Sequence, residues 1–185
     1  MKLKLFNFKT VNSTNDLAIK IIKNSNIQHG MIVAEKQNKG RGRYGKKWIS
    51  FKGNLFVTIF FKLANISLTL KKITRINCYL IKKLLSFYYK KKIMFKSPND
   101  LLVNKKKICG ILQETLRKKK ETYIITGIGI NLVKSPKIKN YSTTNLLNLT
   151  KKKINKKEVV LKLKKIYEIY LPKINTTNLK KINLI

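Results

Sequence analysis

Seven short apolar stretches are the strongest constraint on what this chain folds into. Each is rich in β-branched and aromatic residues or alternates apolar with polar side chains, which is the pattern of strands. They lie at residues 3–8, 31–37, 54–63, 93–96, 100–104, 108–116 and 122–131. The pattern predicts an α+β fold built on one sheet.

Helical spacing marks three segments between and after these strands. Residues 13–24 follow a Ser/Thr/Asn cap, residues 68–89 trace one apolar face, and residues 157–171 are amphipathic. The predicted architecture is a mixed, mainly antiparallel sheet with the helices packed on one face.

The chain carries a formal charge of +36, from 43 basic and seven acidic residues. Such a charge ordinarily indicates binding to nucleic acid or to an anionic membrane. Here 39 of the basic residues are lysines, and with 19 asparagines and 25 isoleucines they match the drift of an AT-rich coding sequence. The charge is therefore weak evidence for a partner, and arginines, glycines and carboxylates are more informative.

Residue counts exclude several classes of chemistry. Cys78 and Cys109 form no disulfide framework and show no metal-ligand spacing. His29 is the only histidine, which excludes a multi-histidine metal site. The N-terminus lacks a signal-peptide core, and no apolar run approaches the roughly 18 residues of a membrane span. We therefore expect a cytoplasmic protein that does not bind membranes.

Residues 38–48, NKGRGRYGKKW, form a loop between the second and third predicted strands. Its three glycines allow backbone N–H groups to converge, which is how backbone nests bind phosphate or carboxylate. Arg41 and Arg43 add planar guanidinium groups that match such oxyanions. The spacing favours a small-anion site but leaves open a nucleic-acid loop or an ordinary surface loop.

Residues 96–114 hold a second polar cluster. Pro98 restricts the backbone around it, so that Asn99 and Asp100 are held at the end of a strand. Lys107 lies on the return strand of the predicted hairpin. Considered alone, the Pro-Asn-Asp motif is also explained by a structural turn.

Two further motifs lie within a strand and at a helix start. Gly127 and Gly129 alternate in a predicted strand, where glycine indicates close approach of a ligand or another backbone. The third glycine of a dinucleotide fingerprint is missing, which excludes a Rossmann site. Residues 12–15, NSTN, cap the first predicted helix and expose N–H groups suited to an anion.

The order and content of these motifs resemble the catalytic domain of the biotin protein ligases. The family signature runs Ser-Thr-Asn, Gln-x-x-Gly-Arg-Gly-Arg-x-Gly-x-x-Trp, Lys-x-Pro-Asn-Asp, Lys-x-x-Gly-Ile-Leu and Gly-x-Gly-x-Asn. In this chain the motifs stand at residues 13–15, 37–48, 96–100, 107–112 and 127–131. The resemblance covers residues 1 to about 170 and implies the class II synthetase-like fold of the biotin and lipoate ligases.

The resemblance implies an enzyme that joins biotin to ATP, giving biotinyl-5'-AMP and pyrophosphate. Such an enzyme then passes the biotinyl group to one lysine of the biotin carboxyl carrier protein of acetyl-CoA carboxylase. It also implies Mg2+ on the ATP phosphates. We expect no specific DNA partner, and a monomer or weak homodimer. Two other functions stay open: a lipoate or octanoate protein ligase of the same fold, and a non-catalytic basic module that binds nucleic acid.

The same resemblance implies roles for individual residues. Biotin would be bound by Ser13, Thr14, Asn15, Gln37, Arg41, Gly42, Arg43 and Lys107. The ATP or adenylate side would be formed by Gly40, Trp48, Asn99 and Asn131. The catalytic residues would be Arg41, Arg43, Lys107 and Asp100, the last orienting metal or the acceptor lysine. The glycine-arginine loop would close over the intermediate as a lid, and no side chain is assigned as a metal ligand.

The expected organisation is one catalytic domain over residues 1–175 and a short tail over 176–185. We expect no N-terminal DNA-binding domain, and no small C-terminal SH3-like domain of the kind that many relatives carry. Ser97 stands where many relatives have tryptophan, so some packing near the Pro-Asn-Asp turn is expected to be lost.

Overall fold

A computed structural model describes residues 1–64 and 68–175 of the chain. Its strands are β1 (Lys4–Val11), β2 (His29–Gln37), β3 (Leu55–Lys62), β4 (Met94–Lys96), β5 (Asp100–Val103), β6 (Lys106–Lys118) and β7 (Glu121–Ile130). They form a seven-stranded sheet in the order β1-β2-β3-β7-β6-β5-β4. The strands β1 and β2 are parallel, and every other neighbouring pair is antiparallel.

Four α-helices accompany the sheet in the described part of the chain. They are α1 (Thr14–Asn24), α2 (Leu70–Ser86), α3 (Leu146–Thr150) and α4 (Lys156–Asn175). The helix α1 connects the parallel strands β1 and β2, because a parallel pair needs a crossover rather than a tight turn. The predicted helix over 68–89 is confirmed, and the observed helix α2 is slightly shorter at both ends.

The larger part of the core lies between the sheet and the helices α2 and α4. Met31 and Val33 of β2 point into it, as does Ile73 of α2. A buried hydrogen bond joins the two helices, since the hydroxyl of Tyr167 on α4 donates to Asn77 Oδ1 on α2 at 2.8 Å. The helices α2 and α4 therefore form one packed layer that supports this face of the sheet.

A smaller core lies between the sheet and α1. Ala18 and Ile22 of α1 pack with Ile32 of β2 and Phe60 of β3. Successive side chains of a strand point to opposite faces, so Ile32 faces α1 while its neighbours face α2 and α4. The helix α1 therefore covers the opposite face of the sheet.

The α+β class and the mixed, mainly antiparallel sheet are confirmed. The expectation that all helices share one face holds for α2 and α4 and is wrong for α1. The reason lies in the strand Leu55–Lys62, LFVTIFFK, whose side chains are buried at seven successive positions. A strand that is apolar on both sides must be covered on both sides.

The tail predicted over 176–185 lies outside the described residues. Within residues 1–64 and 68–175, no helix combines the length and apolarity that crossing a membrane requires.

Candidate functional site

Three glycines form the floor of a cleft on the α1 face of the sheet. Gly110 and Gly129 pair across β6 and β7, and Gly127 lies two residues further along β7. A Cβ atom on Gly127 would lie 2.4 Å from Asn15 Oδ1, and one on Gly129 would lie 2.3 Å from the indole of Trp48. The sequence predicted close approach of a ligand or another backbone at Gly127 and Gly129, whereas in the structure the side chains of Asn15 and Trp48 lie there.

The start of α1 forms the polar end of the cleft together with β2. The backbone N–H and the hydroxyl of Thr14 lie 2.9 and 3.0 Å from Gln37 Oε1. Ser13 caps the helix by accepting a hydrogen bond from the Asp16 N–H at 3.3 Å. Ser13, Thr14 and Asn15 are each only 3% exposed. The fold thus brings the Ser-Thr-Asn motif and the glutamine of the second motif together.

The Asn15 amide is fixed in orientation by its neighbours. Its Oδ1 lies 2.6 Å from the hydroxyl of Thr58, and its Nδ2 donates to Glu114 Oε2 at 2.7 Å and to the Leu112 carbonyl at 3.3 Å. Both hydrogens of Nδ2 are used, and the oxygen is the amide atom nearest Gly127, since a Cβ atom there would lie 2.4 Å from Oδ1 and 3.1 Å from Nδ2. Asn15 therefore offers a fixed hydrogen-bond acceptor to whatever enters this end of the cleft.

Three residues of this network were missed by the sequence analysis. Thr58 is fully buried and is the one hydroxyl residue in the apolar strand β3, which was an available signal. Glu114 and Asp16 are two of only seven acidic residues in a chain of charge +36. A rare carboxylate beside a motif could have been singled out on that ground.

The glycine-arginine loop folds as a tight reversal over the cleft. The Gly42 N–H donates to the Lys46 carbonyl at 2.6 Å. Gly45 turns the chain at a φ of 70°, a conformation that glycine adopts without a steric penalty. Residues 40–48 thus carry two arginines to the mouth of the cleft.

Arg41 is held by two carboxylates from different elements. Its Nη2 lies 2.7 Å from Asp16 Oδ1 on α1 and 2.8 Å from Glu114 Oε2 on β6. Burial alone would lower the pKa of Arg41, but the hydrogen bond and charge of Glu114 and the charge of Asp16 outweigh it and raise the pKa. Arg41 is a permanent cation at the polar end of the cleft.

Arg43 contacts a different wall. Its Nη1 donates to Asn99 Oδ1 at 3.3 Å, and its Nη2 donates to the Tyr44 hydroxyl at 2.7 Å. Asn99 is in turn fixed by Ile111, whose N–H donates to the Asn99 carbonyl at 3.0 Å while Asn99 Nδ2 donates to the Ile111 carbonyl. The Pro-Asn-Asp turn therefore supports the second arginine of the loop.

Lys107 lies in the wall of the cleft beside Asp100. Lys107 Nζ is 2.8 Å from Asp100 Oδ1, and both side chains are mostly buried. The same ammonium group lies 5.5 Å from the ring centre of Trp48 and 5.4 Å from that of Tyr141. A cation between two aromatic rings and one carboxylate is fixed in place yet exposed to the cleft.

Two of the predicted site residues lie behind the cleft. A Cβ atom on Gly40 would lie 2.6 Å from the Trp48 carbonyl, so Gly40 allows the two ends of the loop to meet. Asn131 is 2% exposed and donates from Nδ2 to the Thr144 carbonyl at 3.1 Å. In this structure both residues support the walls of the cleft from behind.

The remaining predicted residues line one cleft of about 320 Å³: Ser13, Thr14, Asn15, Gln37, Arg41, Gly42, Arg43, Trp48, Asn99, Asp100 and Lys107. Its lining contains seven lysine and arginine side chains and a single carboxylate, that of Asp100. A concave site with one sign of charge attracts the opposite sign. The cleft is therefore suited to a ligand that is anionic at the Lys107 end and polar at the Asn15 end.

Comparison with known proteins identifies relatives of this chain. The model of the biotin/lipoate A/B protein ligase family matches residues 7–131. The bifunctional ligase/repressor BirA of Escherichia coli strain K12 is 33% identical over 102 residues, which cover 54% of this chain and 32% of that protein. The chain thus spans about a third of the length of this curated relative.

Solved structures extend the match over almost the whole chain. The biotin protein ligase from Aquifex aeolicus in complex with biotin and ATP is 30% identical, covers 97% of this chain and 75% of that chain, and superposes with a TM-score of 0.78. A bipartite lipoate protein ligase from Thermoplasma acidophilum is 12% identical, covers 93% of this chain and 84% of that chain, and has a TM-score of 0.63. The second match shows a shared fold.

Proposed function

The chain belongs to the biotin/lipoate A/B protein ligase family and, within it, to the biotin protein ligases, and from that premise we propose that it activates biotin with ATP. The products are biotinyl-5'-AMP and pyrophosphate. The biotinyl group then passes to one lysine of a biotin carboxyl carrier protein, that of acetyl-CoA carboxylase. The proposed reaction takes place in the cytoplasm.

The observation that carries this proposal is the fixed polar end of the cleft. A ureido ring has one carbonyl acceptor and two N–H donors, so it needs partners of both kinds. Asn15 Oδ1 is held over Gly127 as an acceptor, and the hydroxyls and amides of Ser13, Thr14 and Gln37 lie beside it. This arrangement supports recognition of the biotin head group at the α1 end.

Activation requires two anions to meet. A biotin carboxylate oxygen attacks the α-phosphorus of ATP, an oxygen–phosphorus bond forms, and pyrophosphate leaves. Lys107, Arg41 and Arg43 all line the cleft in which the carboxylate and the α-phosphate would meet, and their positive charge offsets the repulsion between the two anions. None of these cations acts as a nucleophile, since each provides fixed positive charge.

The indole of Trp48 supports the nucleotide side of the proposal. It lies against the glycine floor at Gly110 and Gly129. Its Nε1–H is buried and has no hydrogen-bond partner among the described residues. A buried donor without a partner is unfavourable by about 1–3 kcal/mol, and a nucleotide that accepted this hydrogen bond would remove the penalty.

Transfer is the second step of the proposed reaction. The acceptor lysine first loses a proton; its amine then attacks the acyl carbon of biotinyl-5'-AMP, an amide forms with release of a second proton, and AMP leaves. Asp100 is the carboxylate of the cleft lining, and its charge suits it to orient an incoming ammonium group once a ligand has drawn Lys107 away. In this account Asp100 positions the acceptor lysine.

Mg2+ would reach the site with ATP. Among the described residues no group of three His, Cys, Asp or Glu side chains could hold a metal ion, and Asp100 is already paired with Lys107. This donor set fits a Mg2+ ion bound mainly by phosphate oxygens and water, as is usual for nucleotide sites. When bound there, the ion neutralises phosphate charge.

A lipoate ligase of the same fold is the main competing function. The dithiolane ring of lipoate has no hydrogen-bond donor, so it cannot donate to Asn15 Oδ1 as a ureido N–H can. A site built to hydrogen-bond its ligand rejects analogues that lack the polar groups. We therefore expect strong preference for biotin.

Pyrophosphate exchange into ATP tests the proposal. We expect exchange that depends on biotin, is lost when Mg2+ is chelated, and is at least tenfold weaker with lipoate. Arg41→Ala and Lys107→Ala should lower the exchange rate by tenfold or more, because each removes a charge from the place where two anions meet. The exposed lysine variant Lys120→Ala is the matched control and should retain activity.

Exchange driven by lipoate without biotin would replace the proposal with the lipoate function. Absence of exchange with either acid, together with intact folding, would contradict an acyl-adenylating enzyme altogether.

A further inference from the structure

The scarcity of acids makes their positions informative. Each of the chain's seven carboxylates lies within 4 Å of a cation. Two of them, Asp16 and Glu114, share the single cation Arg41.

The two carboxylates belong to the rigid part of the molecule. Asp16 lies in the first turn of α1, and Glu114 lies in β6 within its pairing to β7. Arg41 belongs to the loop 40–48 that crosses the cleft. The two ion pairs therefore connect the loop to two different elements, the helix α1 and the strand β6.

The geometry leaves part of the guanidinium group free for a ligand. In the part of the chain that the structure describes, the ion pairs and hydrogen bonds of Arg41 run through Nη2. Nη1 and Nε keep three N–H donors. Arg41 can therefore be anchored and still donate to an anionic ligand.

We propose that Asp16 and Glu114 are positioning residues that anchor Arg41, and with it the loop 40–48, over the cleft before biotin binds. This inference rests on the proposed function for its link to biotin, while the anchoring itself does not. Anchoring lowers the entropy that the loop must lose when a ligand arrives, which improves binding without adding a contact.

The two carboxylates differ in what else they hold. Glu114 Oε2 also accepts the hydrogen bond from Asn15 Nδ2 at 2.7 Å. The other contact of Asp16 is made by its backbone N–H, which donates to Ser13 Oγ at 3.3 Å and is kept when only the side chain is changed. Asp16→Asn is thus the cleaner probe of the anchor, and Glu114→Gln disturbs the anchor and the Asn15 amide together.

Hydrogen–deuterium exchange of the ligand-free protein tests the anchor directly. We expect amides in the peptide 38–50 to exchange about two- to fivefold faster in Asp16→Asn and in Glu114→Gln than in wild type, the effect expected for partly exposed ion pairs. Glu121→Gln is the matched control, since it removes one charge from a pair with Lys62 away from the cleft. Asp16→Glu keeps the charge and should exchange like wild type.

A double variant shows whether the effect passes through Arg41. Adding Asp16→Asn to Arg41→Ala should cause no further increase in exchange of the peptide 38–50, because the anchor is already lost. Three results of the deuterium measurement on the peptide 38–50 would each overturn the proposal. They are unchanged exchange in Asp16→Asn, an increase in Glu121→Gln as large as that in Asp16→Asn, and an increase on adding Asp16→Asn to Arg41→Ala as large as that in the wild-type background.

Kinetics separate this inference from the proposed function. In biotin-dependent pyrophosphate exchange, Asp16→Asn should raise KM for biotin about two- to fivefold and change kcat by less than twofold. If Asp16→Asn showed faster deuterium exchange in the loop 40–48 but an unchanged KM for biotin, the link between the anchor and biotin binding would be overturned. If the wild-type protein showed no pyrophosphate exchange, the proposed function would fail. The deuterium measurement would still decide whether Asp16 and Glu114 anchor the loop.

Discussion

At the scale of single residues, the site depends on glycines, whose lack of a side chain makes room for neighbouring groups, as much as on its polar side chains. Gly127 and Gly129 are two residues apart on one strand, yet the atoms above them differ. A Cβ atom would meet the Asn15 amide at the first position and the Trp48 indole at the second. The same small substitution should therefore disturb opposite ends of the cleft.

Gly127→Ala should weaken biotin binding by about tenfold or more, because the new methyl group displaces the fixed acceptor of Asn15. Gly129→Ala should displace Trp48 and weaken ATP binding while leaving biotin affinity within about threefold. Isothermal titration of each ligand measures both effects. Equal losses of biotin affinity in the two variants would contradict the assignment of the two ends.

Thr58→Val tests the support of Asn15 from below. The swap keeps the side-chain shape and removes the hydroxyl that lies 2.6 Å from Asn15 Oδ1. We expect a loss of about 1–2 kcal/mol in the free energy of unfolding and a severalfold loss of biotin affinity. Chemical denaturation and titration measure the two quantities.

Thr126→Val is the matched control for this prediction. Thr126 is equally buried but lies on the opposite face, where its hydroxyl accepts a hydrogen bond from Asn77 Nδ2 at 3.1 Å. This variant should lose stability without losing biotin affinity. A parallel loss of affinity would mean that Thr58 acts through general stability.

At the scale of elements, most of the fold could be predicted and the two-sided covering of the sheet could not. Period-2 and period-3.6 patterns located the strands and the long helices because those patterns are local. Whether α1 lies with α2 or against the other face depends on tertiary packing, which hydrophobic spacing along one helix does not specify. The motif residues could be grouped in advance, but the contacts of Thr58, Asp16 and Glu114 depend on strand pairing over long sequence distances.

The helix α4 offers an element-scale prediction about pH. Glu168 on α4 accepts a hydrogen bond from the Leu3 N–H at 2.7 Å and pairs with Lys164. Burial alone would raise the pKa of Glu168, but the bonds from Lys164 and Leu3 outweigh it and lower the pKa below its usual 4.5. A carboxyl with a lowered folded-state pKa stabilises above its unfolded pKa, and the contribution is lost as pH falls through the folded value.

Glu168→Gln should therefore lower the free energy of unfolding at pH 7 by about 1 kcal/mol or less, since the pair is partly exposed. The difference from wild type should shrink as pH falls below about 4, where the wild-type carboxyl is itself protonated. Urea denaturation at pH 7 and pH 3 measures it. A difference that stayed constant with pH would contradict the ionised role of Glu168.

At the scale of the whole molecule, negative charge is concentrated where it organises the site. Three of the seven carboxylates, Asp16, Glu114 and Asp100, hold Arg41 and Lys107 at the cleft. The other four pair with lysines elsewhere, which leaves a large excess of positive charge on the rest of the protein. Self-repulsion of this kind destabilises a folded chain and is screened by salt.

Raising ionic strength from about 0.01 M to about 0.2 M should therefore raise the melting temperature by several degrees, because the Debye length falls from about 30 Å to less than 10 Å. Differential scanning fluorimetry across a salt series, with sodium chloride and potassium chloride compared, measures the shift. A melting temperature that is indifferent to ionic strength would show that the excess charge is not a burden on stability.

In the proposed function, one cleft brings biotin and ATP together and retains the mixed anhydride that they form. The most direct test is to incubate the protein with biotin, ATP and Mg2+, separate it from small molecules, and analyse what it retains by mass spectrometry. Biotinyl-5'-AMP should be bound to the wild-type protein at close to one equivalent, and far less should be bound to Lys107→Ala. Folded wild-type protein that retained biotin and ATP but no biotinyl-5'-AMP would contradict the account.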